Sequence, residues 1–313
     1  MLHVLNGDAT ATALAATDVP GERLVWRDLA VEGPVVAAGA PPSAERTGYL
    51  AANFGIDAET YVRGIENQTA RLATGRGHDE IVLWFEQDLF CAVTLWSLLD
   101  WLRRELPAAP LSLVYPALDD AMTGLGALPP DRLTALFAGR RPVNARAREL
   151  GAHAWAAYAS PDPLATAPLA ARESPALPFV REAFRCHLGR FPSVRNGLNE
   201  VESATLTVLR RGSRRFGDLF REVTAHPLLR RHGMGDRQFA ACLRRLMPLV
   251  SIVGATVLTA EIDLTPQGFE VVAGELDWLA LHAIDVWLGG VHLRHGGPLW
   301  RWDADRDRLV AAA

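Results

Sequence analysis

The chain has 313 residues and a formal net charge of −4 at pH 7, and it is 49% hydrophobic and 22% charged, which is ordinary for a globular protein of about two domains. This balance gives no general bias toward nucleic acid or a membrane surface, and no apolar run approaches the roughly 20 residues that span a bilayer. All 32 basic residues are arginine, which disfavours chemistry that needs a lysine, such as a Walker phosphate loop or a Schiff base.

Residues 1–125 alternate strand and helix patterns, which predicts a parallel α/β domain. Four short apolar runs predict its strands, at residues 3–5, 24–26, 81–85 and 111–115. Helix patterns lie between these runs, and four residues are predicted as N-caps: Asp8, Ser43, Asp57 and Asp88. We therefore predict a Rossmann-like, three-layer sheet domain in this part of the chain.

Residues 126–195 are predicted as a helical connector that prolines interrupt at 161–178, and residues 196–313 as a second unit. Its predicted elements are, in order, helices at 200–211, 216–223 and 235–246, strands at 249–253 and 257–264, and a helix that Thr265 caps. Three helices followed by two strands are typical of a winged helix-turn-helix domain. The C-terminal extension is predicted as a helix at 277–288 and a hairpin that pairs 289–293 with 300–303.

Polar side chains follow each predicted strand, at the edge where ligands bind in open parallel sheets. They are Asn6 and Asp8, with Gly7 between them, after the first strand, Arg27 and Asp28 after the second, Glu86 and Asp88 after the third, and Asp119 and Asp120 in the loop after the fourth. If these strands are neighbours, the acidic side chains converge on one crevice.

This acidic crevice suits a divalent metal, because Mg²⁺ and Mn²⁺ prefer hard oxygen ligands. In this hypothesis Asp8, Glu86 and Asp88 ligate the metal or act as a general base, and Asp28 supports them. The structural alternative is that the same carboxylates are helix caps and ion-pair partners.

Neighbouring residues are candidates for binding the substrate. Asn6 and the main chain at Gly7 suit a sugar or nucleoside, and the carboxylates then accept hydrogen bonds from hydroxyls or amines without a metal. Arg27 is suited to hold a phosphate by bidentate contacts, and Trp84 to stack on a ring. The structural alternatives are an ion pair for Arg27 and a core position for Trp84.

The second unit is rich in arginine, which is the footprint expected of phosphate contacts with DNA. Its third helix would be the reading helix, where Arg237 and Gln238 are suited to pair with guanine and adenine, and Arg244 is a further candidate for contact with nucleic acid. The alternative is that the winged helix is a packing or protein-interaction module.

Several motifs resemble a known bacterial family. They are Asn6-Gly7-Asp8, residues 26–28, Glu32-Gly33-Pro34, and residues 83–91, 177–179, 196–198 and 289–293. Over nearly its whole length the chain resembles the longer members of a family catalogued only as a domain of unknown function, number eighteen thirty-five. The resemblance implies the same domain organisation and a functional role for the polar strand ends. It implies no reaction, because the family has no established activity.

The leading hypothesis is an enzyme, a metal-dependent hydrolase or phosphotransfer enzyme, that acts on a phosphorylated or nucleotide-like small molecule at the acidic crevice. Two alternatives stay open: a ligand-sensing transcriptional regulator that binds DNA through the winged helix, and a nucleic-acid-processing enzyme that uses both domains. Three widely spaced cysteines, and a start without a signal-peptide pattern, favour a cytoplasmic protein with no membrane partner. The sequence does not indicate the oligomeric state.

Overall fold

A computed structural model describes residues 1–36, 39–117 and 124–312. Asp119 and Asp120, which we predicted to follow the fourth strand, lie outside the described residues. The first part of the chain contains, in order, β1 (Leu2–Leu5), α1 (Asp8–Ala15), β2 (Glu22–Val25), α2 (Ala44–Phe54), α3 (Ala58–Ala73), β3 (Ile81–Trp84), α4 (Leu89–Glu105) and β4 (Leu111–Val114).

Helices dominate the next part of the chain, and a short strand pairs back onto the first sheet. The elements are α5 (Pro130–Ala138), β5 (Arg141–Pro142), α6 (Ala145–Tyr158), α7 (Ala167–Ala170) and α8 (Val180–Leu188). Short 3₁₀ helices lie at Thr74–Gly77, Leu125–Ala127, Pro163–Thr166 and Val257–Thr259.

A five-stranded sheet with the order β2-β1-β3-β4-β5 organises the N-terminal part of the chain. The first four strands are parallel, and β5 is an antiparallel edge strand. Leu5 at the end of β1 lies opposite both Val25 and Trp84. The carboxyl ends of β1, β2 and β3 therefore meet at one edge, and the predicted α/β class with a mostly parallel sheet is confirmed.

Side chains along each strand alternate between the two faces of the sheet, and helices cover both faces. Ile81 and Leu83 belong to the larger hydrophobic cluster, together with residues of α3, α4, α6 and α8. Val82 and Trp84 belong to a second cluster, with residues of α1 and α5. Helix α4 is buried along most of its length because it packs against α6 and α8 as well as against the sheet.

Three of the four predicted N-caps are confirmed. The side chains of Ser43, Asp57 and Asp88 each accept a hydrogen bond from the backbone N–H three residues later, at the start of α2, α3 and α4. The prediction for Asp8 is wrong, because Gly7 is the N-cap and Asp8 is the first residue of α1. Its carboxylate still favours the helix, since negative charge is stabilising in the first turn.

The C-terminal part of the chain contains a three-stranded antiparallel sheet with the order β6-β8-β7. Its elements are α9 (Glu200–Leu209), β6 (Arg214–Arg215), α10 (Phe216–Ala225), α11 (Pro227–Arg230), α12 (Asp236–Arg245), β7 (Val250–Val253), β8 (Glu261–Leu264), α13 (Pro266–Ala273) and α14 (Trp278–Leu281). These elements enclose a separate hydrophobic cluster that includes Leu206, Phe239 and Ile262. Thr265 caps α13 as predicted.

The chain continues into two short hairpins, built from β9 (Asp285–Leu288), β10 (Val291–Arg294), β11 (Leu299–Asp303) and β12 (Arg308–Ala312). The prediction of one helix over residues 277–288 is correct only for α14, because the second half of this range forms the strand β9. The two-residue Gly289-Gly290 turn pairs β9 with β10, and Gly289 has the positive φ, +62°, that such turns require. Residues 300–303, which were predicted to pair with β10, belong to β11, and β11 pairs with β12 instead.

Within the described residues, no helix is both long and apolar enough to cross a bilayer.

The loop after β2 is held by a buried arginine. Arg46 of α2 is 2% exposed; its guanidinium donates to the carbonyls of Glu32 and Pro34, at 2.9 and 2.8 Å, and to Asp28 Oδ1 at 2.7 Å. Gly33 between these carbonyls has φ +74°, and a Cβ there would lie 2.4 Å from the Tyr49 ring. The Glu32-Gly33-Pro34 motif is therefore a turn that only glycine permits, and it directs Glu32 into the interior.

We predict that Arg46→Met destabilises the fold by about 3 kcal/mol or more, because it leaves two buried carbonyls and the Asp28 carboxylate without their donor. Urea unfolding followed by circular dichroism measures this change. The control is Arg71→Met, which removes an exposed ion pair with Glu22 and is expected to cost less than about 1 kcal/mol. Equal losses in the two variants would contradict the structural role assigned to Arg46.

Candidate functional site

The carboxyl ends of β1 and β3 bring Asn6 and Glu86 together. Asn6 Nδ2 donates to Glu86 Oε1 at 3.2 Å, and the backbone N–H of Leu125 donates to the same oxygen at 2.9 Å. Thr10 Oγ1 in turn donates to Asn6 Oδ1 at 2.7 Å, which orients the amide. The Glu86 carboxylate is thus held in place by two strand ends and the segment that follows β4.

Asp88 lies two residues further along the same loop and is only 4% exposed. Its Oδ1 accepts a hydrogen bond from the backbone N–H of Cys91 at 2.8 Å, so it caps α4. Burial, and secondarily the negative charge of Glu86, raise the pKa of Asp88 to about 7, against the opposing effect of the hydrogen bonds at the cap. A carboxyl group with this pKa can both give and accept a proton near neutral pH.

The burial of Asp88 comes from the C-terminal part of the chain. The backbone N–H of Leu89 donates to the carbonyl of Arg231 at 2.7 Å, so the segment after α11 is bonded to the start of α4. Gly233 in that segment has φ +62°, and a Cβ there would lie 2.2 Å from Asp88 Oδ1. Only a glycine allows the backbone to approach the carboxylate this closely.

Between these parts lies a cleft of about 320 Å³ that Glu86 and Asp88 line on one side. The other side is formed by α10, α11 and the segment to Met234, and it contributes Arg221 and Arg230. We call this space the Glu86–Asp88 cleft. It combines two carboxyl groups on one wall with two guanidinium groups on the other.

Cys91 lies behind the two carboxyl groups as a buried thiol. Its sulfur accepts a hydrogen bond from Asn6 Nδ2 at 3.4 Å. Burial, followed by the charges of Asp88 and Glu86, raises the pKa of Cys91 well above its usual value. The thiolate form that a cysteine nucleophile needs is therefore strongly disfavoured.

Asp8 and Arg27, both predicted to take part in the crevice, pair with each other on the surface. Arg27 Nε donates to Asp8 Oδ2 at 3.0 Å, and a second contact joins Nη2 to Oδ1. The side chains are 61% and 67% exposed, and this bidentate bond lowers the pKa of Asp8. The structure thus does not bring Asp8 to Glu86 and Asp88 as a third ligand, and Arg27 is engaged by a carboxylate instead of a phosphate.

Asp28 and Trp84 have structural partners that correct their predicted roles. Asp28 Oδ1 accepts from Arg46 at 2.7 Å and from the hydroxyl of Tyr61 at 2.8 Å, so it neutralises a buried guanidinium instead of supporting the crevice. Trp84 is fully buried; its Nε1 donates to His3 Nδ1 at 3.0 Å, and its ring stacks on Phe137. Its position inside the sheet excludes stacking on a substrate.

The predicted Mg²⁺ or Mn²⁺ site is only partly assembled. In residues 1–36, 39–117 and 124–312, no three His, Cys, Asp or Glu side chains group closely enough to hold a metal ion. Glu86 and Asp88 meet in one cleft, whereas Asp8 lies with Arg27. Gly7, predicted to offer its main chain to a ligand, is the N-cap of α1.

The predicted reading helix, α12, packs against the first part of the chain. Gln238 is buried, and its Nε2 donates to Glu32 Oε1 at 3.0 Å, so its prediction as a base-contacting residue is wrong in this arrangement. Arg244 Nη2 donates to the backbone carbonyl of Asn53 at 2.7 Å. Arg237 is exposed at the start of the helix. The face of α12 that carries Gln238 and Arg244 is thus occupied by α2 and the Glu32 turn.

Three features of the cleft were not predicted from the sequence: the raised pKa of Asp88, the role of Gly233, and the arginines of α10 and α11. The only local signal for Gly233 was the Gly233-Met234-Gly235 stretch before a helix, which indicates a turn but not what the turn contacts.

Comparison with protein-family models finds no match, and comparison with curated proteins finds no significant relative.

We predict that Asp88 makes the free energy of unfolding depend on pH. The pKa of Asp88 is about 7 in the folded protein and about 4 in an unfolded chain. The protonated Asp88 carboxyl group therefore contributes fully to the free energy of unfolding below about pH 4. This contribution is lost as the pH rises through 7. Relative to wild type, Asp88→Asn should gain a few kcal/mol of stability between pH 4 and pH 8, since asparagine caps a helix equally well.

Chemical denaturation at a series of pH values measures this gain. The control is Asp57→Asn, at the exposed cap of α3. It should follow the wild-type pH dependence above about pH 4, because the hydrogen bonds that lower the pKa of Asp57 affect stability only at more acidic pH. The same pH dependence in wild type and Asp88→Asn would show that the pKa of Asp88 is not raised.

Proposed function

We propose that the protein is an enzyme that uses Asp88 and Glu86 for general acid–base catalysis on a phosphorylated, hydroxyl-bearing small molecule, such as a sugar phosphate or nucleotide. One observation carries the proposal: a buried carboxyl group with a pKa of about 7 lies beside a second carboxylate in a cleft. Perturbed carboxyl pairs in clefts at the carboxyl edge of a parallel sheet are typical of active sites.

The two carboxyl groups have different environments, which supports different roles. Asp88 is buried and exchanges a proton near neutral pH, so it is assigned as the general acid–base residue. Glu86 is oriented by Asn6 and Leu125, and it is assigned to bind and polarise a substrate hydroxyl. Asn6 is a positioning residue, because its amide contacts Glu86 and the buried thiol of Cys91.

The opposite wall of the cleft supports the assignment of a phosphate group to the substrate. Arg221 lies there; it is 77% exposed and pairs with Asp218 at 2.8 Å across one helical turn. An exposed pair of this kind is worth little, so Arg221 can exchange Asp218 for a phosphate at small cost. Arg230 lines the same wall, and arginines bind phosphate oxygens in pairs of hydrogen bonds.

A divalent metal is compatible with the same site. Mg²⁺ and Mn²⁺ are commonly held by one or two carboxylates together with substrate phosphates, and Glu86 and Asp88 are the two carboxylates available. When bound, the ion would neutralise charge between these carboxylates and the phosphate. The metal requirement is therefore a proposal to be tested together with the substrate.

We also propose that α9, α10, α12 and the β6–β8 sheet form a winged helix, and that the first sheet domain is Rossmann-like. The order of three helices and an antiparallel strand pair supports the first assignment. The burial of Gln238 against Glu32 favours a packing role for this domain, in which it closes the cleft, over a role in reading DNA. The domain boundaries and the family resemblance stay predictions.

A cytoplasmic location is proposed on the cysteines: Cys91, Cys186 and Cys242 are buried free thiols, as expected in a reducing compartment.

We predict that wild-type protein binds and turns over at least one member of a panel of sugar phosphates and nucleotides. Thermal shift identifies the ligand, and an assay of the converted compound gives kcat and KM. Asp88→Asn and Glu86→Gln should each lower kcat by about a hundredfold or more. Arg221→Gln should mainly raise KM for the phosphorylated compound.

The control variant is Asp57→Asn, which should behave as wild type. Each compound is also tested without its phosphate, and each assay is run with Mg²⁺, with Mn²⁺ and with EDTA. Wild-type turnover in Asp88→Asn, or no shift with any compound, would contradict the proposed function. Equal turnover of the dephosphorylated compound would contradict the role of the arginines.

A further inference from the structure

A second cavity, of about 160 Å³, lies where α2, α9, α12 and β9 meet. None of the residues that line it also lines the Glu86–Asp88 cleft. Its walls carry charges of both signs: Glu32, Glu202 and Asp285 are acidic, and Arg190 and Arg245 are basic. Asp285 is 78% exposed and bonds to His292, which leaves the pairs Glu32–Arg190 and Glu202–Arg245. Charged side chains are rare inside proteins, and each such group needs a partner.

One of these pairs is satisfied and the other is not. Arg190 donates to Glu32 Oε1 at 3.2 Å and to the carbonyl of Val31 at 2.7 Å. Arg245 Nε, by contrast, lies 4.0 Å from Glu202 Oε1, which is too far for a hydrogen bond. This buried Nε has no hydrogen-bond partner among the described residues. The Arg245 guanidinium and the Glu202 carboxylate are thus close enough for a weak ion pair, but no hydrogen bond joins them.

Glu202 is held in this position by the start of α9. Its Oε2 accepts a hydrogen bond from the backbone N–H of Asn199 at 2.9 Å, within a capping box. The side chain is 90% buried. Because the capping box uses Oε2, Oε1 is the oxygen directed toward Arg245, and it is a suitable acceptor for a cationic group of a ligand.

Part of the remaining wall is aromatic. Trp278 and His282 line the cavity, and their rings stack at 4.6 Å with an angle of 4°. A flat aromatic surface of this kind packs against the apolar part of a small molecule.

We infer that this cavity binds a small zwitterion, a compact amino acid whose carboxylate accepts from Arg245 and whose ammonium group donates to Glu202. Because Glu32 and Arg190 already bind each other, Glu202 and Arg245 remain as one group of each charge. Together they complement a ligand that carries both charges better than they complement an anion or a cation alone. A cavity of about 150 Å³ accommodates a molecule of the size of benzene, so the ligand is of the size of alanine, serine or proline. The site is independent of the proposed chemistry at Asp88.

Isothermal titration calorimetry of the full chain with the twenty common amino acids tests this inference. Propionate and ethylamine are included as probes that match the two halves of alanine. At least one small amino acid should bind saturably to wild type. Arg245→Gln and Glu202→Gln should each weaken its binding by tenfold or more. Glutamine at position 202 retains the capping box, so this variant keeps the start of α9 intact.

The matched control is Arg244→Gln, which changes the neighbouring arginine outside the cavity and should bind as wild type does. Asp88→Asn should also bind as wild type, which separates this site from the Glu86–Asp88 cleft. The inference is overturned if no amino acid binds wild type, or if Arg245→Gln and Glu202→Gln bind unchanged. It is also overturned if propionate binds as tightly as the amino acid. If Arg245→Gln does not fold, Glu202→Gln and the wild-type panel decide the question.

Discussion

The buried carboxylate of Glu32 is the interaction on which the arrangement of this protein depends. Its Oε1 accepts hydrogen bonds from Arg190, just after α8, and from Gln238 in α12, while its own backbone carbonyl accepts from Arg46 in α2. One residue therefore joins the N-terminal part of the chain to both later parts. Removing it would leave a largely buried arginine without its counter-charge, which is among the more costly changes in a protein interior.

This junction places the C-terminal part of the chain over the edge of the sheet. With α12 held against α2, the preceding segment comes to lie on Asp88, with Gly233 against the carboxylate and the carbonyl of Arg231 bonded to the start of α4. The carboxyl group then loses most of its contact with water, and this loss of hydration is the main cause of its raised pKa. The chemistry proposed for the cleft thus requires the packing of distant parts of the chain as well as the strand ends that carry the acids.

The sequence predicted those features that depend on residues close to one another along the chain. The parallel strands follow from their apolar runs, and the caps at Ser43, Asp57 and Asp88 follow from contacts three residues apart. Asn6 and Glu86 were both placed at the carboxyl edge of the sheet, because each follows a predicted strand, but the hydrogen bond between them was not predicted. Gln238 and Glu32 are 206 positions apart, and nothing near either residue indicates the other.

The incorrect predictions also concern contacts that neighbouring residues in the sequence do not indicate. Asp8 and Asp28 were expected beside Glu86, but each forms an ion pair with an arginine instead. Asp8 pairs with Arg27 after the neighbouring strand, and Asp28 pairs with Arg46 of α2. Trp84 ends a strand, yet the alternation of side chains along that strand directs it into the core beneath α1 and α5. Residues 277–288 were predicted as one helix, whereas the Gly289-Gly290 turn pairs the end of this segment with β10 as a hairpin.

The most direct test of this account is the pKa of Asp88 itself. Carbon-13 NMR of the aspartate side-chain carboxyl groups, recorded from pH 3 to pH 9, measures it, and the spectrum of Asp88→Asn identifies the resonance. We predict one aspartate resonance that titrates near pH 7 in wild type and is missing from the variant. If every aspartate carboxyl of the wild-type protein titrates below about pH 5, Asp88 is an ordinary helix cap. The acid–base site proposed at the Glu86–Asp88 cleft is then wrong.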